Sequence, residues 1–284
     1  MNTPPSASHV PPPTLPAGPD AVSRPRWWIH LILLSAYLLV AGAVGWSRGS
    51  SHGPVLSRNV AGLLIVCAVE LLVFGLVLGL ACIASHASRD DLLLRWRGKF
   101  RPVPLGIGYS IALRLAVGMI VIILSMGLIA TGLMTLQSLQ QFSISHRPDI
   151  EAIVDVSAMR QDPVYFWLVL TLVSFAVAGL REELWRSAFL AGLRSLWPRS
   201  FGSRAGQIAS AGVAAVVFGV GHLAMGPVAV LLAGLLGFGL GVIMVLHRSI
   251  WPAVIAHGMF DATSLALLPW LMEHLPQVQQ ALGH

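Results

Sequence analysis

Residues 60–85 read VAGLLIVCAVELLVFGLVLGLACIAS. Glu70 is the one charge in the run, which exceeds the roughly 18–20 apolar residues that span the hydrocarbon of a bilayer. A segment of this kind is expected as a transmembrane helix, and comparable segments recur on both sides of it. Residues 27–46, WWIHLILLSAYLLVAGAVGW, come before it with aromatics at both ends as interfacial anchors. After it come 106–134, a helix-compatible stretch from Pro163 to Trp197 stopped by Pro198, then 205–223, 226–246 and 250–271. The expected fold class is all-α, a polytopic transmembrane helical bundle of about seven spans, with eight as the alternative.

The composition agrees. Of 284 residues, 56% are hydrophobic and 11% charged, against about 25% charged in a soluble globular domain. Mean hydropathy is +0.77. The net charge of +6 would suggest nucleic-acid binding in a soluble chain. Here the basic residues gather in connecting segments, where the positive-inside bias is the simpler reading; no nucleic-acid partner is expected. Cys67 and Cys82 share one apolar run, too few for a disulfide framework or a cysteine zinc site.

Three regions are expected. Residues 1–25 are a disordered Pro-rich tail without the apolar core of a signal peptide. Residues 26–135 form a transmembrane scaffold, and residues 163–271 a catalytic transmembrane core. The segment 86–103 sets Arg89, Arg95, Arg97, Lys99 and Arg101 against Asp90 and Asp91. The segment 135–162 sets Asp149, Glu151, Asp155 and Asp162 against Arg147 and Arg160. That asymmetry orients the chain with a cytoplasmic N-terminus in a multi-pass cell-membrane protein.

Charges inside apolar segments need partners or water and are candidates for function. Residues 179–190, GLREELWRSAFL, hold Arg181, Glu182, Glu183 and Arg186. On a regular helix Glu182 and Arg186 share a face at i,i+4, Glu183 lies about 100° around it, and Arg181 points elsewhere. The alternative is a helix end with a local ion pair. Residues 216–226, VVFGVGHLAMG, place Phe218 and His222 at i,i+4; residues 249–264, SIWPAVIAHGMFDATS, do the same for His257 and Asp261. Glu70 and Arg114, each near the middle of its span, are expected to form an interhelical ion pair of structural kind. Together the late clusters bring a carboxylate that can act as general base for water and histidines that can orient it or stabilise an oxyanion. The same His and Glu could also bind a divalent metal such as zinc.

At this point the sequence resembles the CPBP intramembrane proteases, also called the Abi or CAAX-protease family, related to the type II CAAX prenyl endopeptidases. Their pattern is Glu-Glu-x-x-x-Arg, then Phe-x-x-x-His, then His-x-x-x-Asn or Asp. Phe218 to His222 matches the second part. His257 to Asp261 matches the third, after a Trp251-Pro252 helix start. The first part departs. Anchored on Arg186, it puts Arg181 and Glu182 at the two Glu positions; anchored on the glutamates, Arg186 comes one residue early.

The resemblance implies an intramembrane endopeptidase, formerly called a metalloprotease, that hydrolyses a peptide bond in a membrane-embedded or lipidated substrate. Its catalytic residues would be Glu182, Glu183, Arg186, His222, His257 and Asp261. Glu182 with His222 would activate water, Glu183 being the fallback base. His257 and Asp261 would hold the oxyanion or substrate carbonyl, and Arg186 would pair with a glutamate. Either Glu182 takes the base role with a small helix shift, or the site is altered. No cofactor is required in this reading, with zinc as the alternative, and the partners are membrane lipid and the peptide substrate. The rival readings are a non-catalytic immunity or scaffold protein of the same fold and, less favoured, a transporter.

Overall fold

The computed structural model describes residues 24–48 and 54–282. The first 23 residues of the expected Pro-rich tail lie outside them. Nine helices organise the described chain: α1 (Arg24–Arg48), α2 (Val60–Ser85), α3 (Pro102–Ala130), α4 (Leu136–Ser145), α5 (Val156–Gln161), α6 (Pro163–Leu196), α7 (Arg204–Val220), α8 (Pro227–His247) and α9 (Trp251–Leu282). A four-residue helical turn, Pro198–Phe201, and a 3₁₀ turn, Leu223–Met225, connect some of these. Six helices (α1–α3, α6, α8 and α9) are long and apolar enough to cross a membrane. With the shorter apolar α7 they make the expected bundle of about seven spans, and no strand occurs among the described residues.

Local chemistry sets the helix ends. Asn59 caps α2 by accepting from the Gly62 N–H at 2.8 Å, and Asp162 caps α6 by accepting from Val164 at 2.8 Å and Tyr165 at 3.2 Å. Each satisfies first-turn N–H groups that no helix carbonyl can reach. Pro102, Pro163 and Pro227 open α3, α6 and α8, where the missing N–H costs nothing.

The 34 residues of α6 are not uniform. Val169–Glu182 is wound as a π-helix, and regular α geometry resumes at Glu183. A π turn closes i→i+5, so the wall that carries the charged stretch is wider and its register is shifted. By contrast, α7 has 17 residues, about 26 Å of helix, short of the roughly 30 Å core. Near its C-terminal end, the Phe218 ring meets the Arg186 guanidinium of α6.

Two close approaches fix the site. The π segment of α6 lies on α9 through glycines: a Cβ at Gly258 would sit 2.3 Å from the Phe175 ring, and one at Gly179 would sit 3.0 Å from the Val254 carbonyl oxygen. In the same way α7 lies on α8, where a Cβ at Gly219 would come 2.7 Å from the Val230 carbonyl oxygen. Small residues at such contacts let backbones meet in a membrane, where packing rather than water exclusion drives association. Helix α3 packs on α9 and α8 and is otherwise exposed along most of its length.

At one end of the bundle, the segment after α2 is strapped down by its carbonyls. Leu93 accepts from Ile250 N–H, Leu94 from Trp251 Nε1 and Arg95 from Ser249 Oγ, all at 3.0 Å. At the other end, Val55 and Leu56 donate to Ala152 and Ile153 at 2.8 and 2.9 Å, and Asp149 N–H donates to Met225 at 3.2 Å, next to the His222 turn. Helix α9 runs past the expected end at 271 to Leu282.

Candidate active site

The charged stretch of α6 meets α9 in the interior. Glu183, Arg186 and His257 are all buried. His257 Nδ1 donates to Glu183 Oε1 at 2.8 Å, and Arg186 Nη1 donates to the same oxygen. The Arg186 guanidinium also lies over the Phe218 ring, 4.5 Å from its centroid, in the desolvated setting where a cation–π contact is strongest. Its long stem passes the glycines of α8: a Cβ at Gly241 would sit 3.5 Å from Arg186 Cδ, and one at Gly237 3.1 Å from Nη2. Among the described residues, Glu183 Oε2 and Arg186 Nε and Nη2 have no partner.

The other ring nitrogen of His257 faces a second set of oxygens. Nε2 lies 3.8 Å from Glu182 Oε2 and 3.5 Å from Asp261 Oδ2. These separations exceed a direct hydrogen bond, which is the spacing a bridging group fills. Asp261 reaches the place because it sits one turn after His257 on α9. Unlike Glu183, Glu182 is not enclosed: its side chain is 17% exposed against 0%. Glu182 Oε1 accepts from Arg181 Nη2 at 2.9 Å, and Arg181 Nη1 donates to Glu70 Oε2 of α2 at 2.8 Å.

His222 stands beside this cluster rather than in it. Its Nδ1 donates to the Phe218 carbonyl at 2.9 Å. That leaves Nε2 as the acceptor of a neutral ring. The His222 ring packs 4.6 Å from the Phe218 ring, which also carries Arg186. Among the described residues it makes no ion pair with a carboxylate. The structure thus brings Glu182, Glu183, Arg186, His257 and Asp261 together and joins His222 to them through one shared aromatic. Among the described residues, no three His, Cys, Asp or Glu groups are placed to hold a metal ion.

Two placements differ from the sequence expectation, and a third is narrowed. The glutamate that Arg186 pairs with is Glu183, at i,i+3, and not Glu182 at i,i+4. The π winding ends at Glu182, so the regular helix begins too late for the i,i+4 rule to govern that pair. Arg181 points inward to two carboxylates instead of away from them. Glu70 and Arg114 do not pair, because α6 and α9 stand between their helices. Glu70 takes Arg181, while Arg114 donates to the Phe260 carbonyl, Thr263 Oγ1 and Ser264 Oγ and covers the Phe260 ring at 4.2 Å. The sequence does hold a signal for Glu70. It falls on the i, i+4, i+7 stripe with Leu63, Cys67 and Phe74, all buried; α2 is so apolar on every side that the stripe does not stand out.

Neither a curated protein nor a solved structure matches the chain. Residues 163–263 match the family model described as type II CAAX prenyl endopeptidase Rce1-like, a span that opens at the first residue of α6 and closes two residues after Asp261. The protein is therefore a multi-pass helical membrane protein whose α6–α9 region is similar to the Rce1-like type II CAAX prenyl endopeptidases, a match consistent with the CPBP family.

Proposed function

We propose that this protein is an intramembrane endopeptidase that cuts a peptide bond in a membrane-embedded or lipidated substrate, with Glu182 as the carboxylate that activates water. The observation that carries the reading is the meeting of Glu182 Oε2, Asp261 Oδ2 and His257 Nε2 at 3.5–3.8 Å around one point beside a buried ion pair. Glu183 is a poorer base, since it is wholly enclosed and ion-paired with Arg186, whereas the Glu182 side chain keeps some access. The Glu183–Arg186 bond also supports anchoring the Glu-Glu-x-x-x-Arg pattern on the glutamates. Positions i+3 and i+4 share a helix face, so an arginine one residue early still reaches the second glutamate, and Glu182 then holds the first.

In the mechanism, water between Glu182 and His257 Nε2 loses a proton to Glu182 Oε2 as its oxygen attacks the scissile carbonyl carbon. The carbonyl electrons move onto its oxygen, which His257, as an imidazolium with Nδ1–H on Glu183, stabilises by donating its Nε2–H. Collapse expels the amine, which takes the proton from Glu182. His222, joined to the cluster through the Phe218 ring, helps orient the water. A general base of this kind contributes about 10²–10⁴-fold in rate. The N-terminus is cytoplasmic in this reading, by the basic 86–103 segment.

The test compares membranes from cells expressing the wild type and Glu182→Gln for newly formed protein termini. Termini that appear with the wild type and vanish with the variant, at equal expression, support the peptidase. Identical termini overturn it and favour a scaffold that keeps the fold.

A further inference from the structure

Arg181 sits at the edge of the site and belongs to no part of the three-part pattern, yet the geometry gives it a task. Its side chain is 18% exposed, and its two terminal nitrogens go to two different carboxylates, Glu70 Oε2 at 2.8 Å and Glu182 Oε1 at 2.9 Å. A guanidinium is planar and rigid, so fixing one prong on Glu70 sets where the other can point. Glu70 lies on the inward stripe of α2, one turn from Phe74, which packs on Tyr37 of α1 at 5.4 Å between ring centroids.

We infer that Glu70 and Arg181 form a two-residue clamp that positions Glu182, binding its Oε1 so that Oε2 is presented to His257 Nε2. The inference rests on the reading of Glu182 as the base. Four features point the same way. Glu182 has two oxygens, and the clamp uses the one that does not face His257. The main chain at Glu182 is where π winding gives way to α, so local helix geometry alone holds the side chain less firmly there. Glu183, one residue on, gets its orientation from Arg186 and His257 and needs no such help. Finally, Glu70 is the one charge in an otherwise apolar span, a costly placement that the bond to Arg181 offsets. Neither Glu70 nor Arg181 touches the reacting atoms; both act through Glu182.

Two measurements on the purified full-length protein test the clamp. The first is the infrared carboxylate band of Glu182, isolated as the difference from Glu182→Gln, recorded in the wild-type, Glu70→Gln and Arg181→Gln backgrounds. The second is cleavage of a quenched-fluorescent peptide with a farnesylated Cys-aliphatic-aliphatic-X tail. The clamp requires the band to move in both backgrounds. It also requires kcat to fall by about 100-fold, the cost of a misplaced catalytic group, while KM stays within about twofold. The double variant should be no slower than the slower single one, because both break one unit. An unmoved band in Glu70→Gln, or a kcat within about twofold of wild type, overturns the inference. Where Arg181→Gln does not fold, the near-isosteric Glu70→Gln decides alone. If the wild type leaves the peptide uncut, the band decides. Should Glu182→Gln itself cut normally, the base assignment fails while the band still reports whether the clamp orients that carboxylate.

Discussion

Two neighbouring glutamates on α6 live in different worlds. Glu183 is wholly enclosed, shares one oxygen between Arg186 and His257, and faces Phe218 and the glycines of α8 across its partner. Glu182 is partly open, shares one oxygen with Arg181, and keeps the other within 3.8 Å of His257. The difference separates holding from reacting. A wholly buried charge pair is costly to disturb, whereas a carboxylate with some access is what a reacting group needs. The two clusters share His257, which faces Glu183 with one nitrogen and Glu182 with the other.

The contrast can be broken at the enclosed cluster first. Arg186→Ala leaves the Glu183 charge buried without its partner and is expected to lower unfolding free energy by about 3–5 kcal/mol. Thermal or denaturant unfolding in detergent reads this, and a loss below about 1 kcal/mol would show that the enclosed pair is not structural. Replacing both members, as Glu183→Leu with Arg186→Met, should cost well under the sum of the two single changes, since apolar residues of similar size can replace a buried ion pair. An additive double variant would mean that the two do not act as a pair.

Gly258→Val tests what brings the clusters together. The added bulk meets the Phe175 ring and should cost about 1–3 kcal/mol through overpacking, with cleavage falling along with stability. A variant of full stability and activity would mean that the α6–α9 approach has slack. The smallest expected effect is the stability of Glu182→Gln, within about 1 kcal/mol of wild type because the group is partly exposed. A larger drop would make Glu182 a holding residue and erase the contrast.

The class of the fold was legible in residues 60–85 and their counterparts, because a long apolar run has few alternatives in lipid. The charged residues that meet at the candidate site were visible too, since charges within such runs are rare and stand out. Their pairings were not. The i,i+4 rule assumes a regular helix, and the π winding of Val169–Glu182 removes that assumption one residue before Glu183. The Glu70–Arg114 expectation assumed that consecutive spans are neighbours, whereas α3 lies against α9 and α8. Helix order in a bundle follows from packing surfaces. Here these are glycine contacts such as Gly179 with Val254 and Gly106 with Ile255, which leave little trace in hydropathy.

His30, fully buried on α1, has Nε2 donating to the Ala188 carbonyl at 2.9 Å and Nδ1 3.0 Å from both the Ala81 carbonyl and Ser85 Oγ. One imidazole therefore stitches the first, second and fourth long spans at a single level, barely a turn below Trp185, whose indole Nε1 donates to the Leu34 carbonyl at 3.0 Å. A truncation that starts after residue 35 would strip both fastenings and leave the Trp185 indole N–H unmatched in an oily setting. Expression of the matched region 163–263 by itself should for the same reason yield aggregate, and co-expression of residues 24–162 as a separate fragment should restore a folded complex.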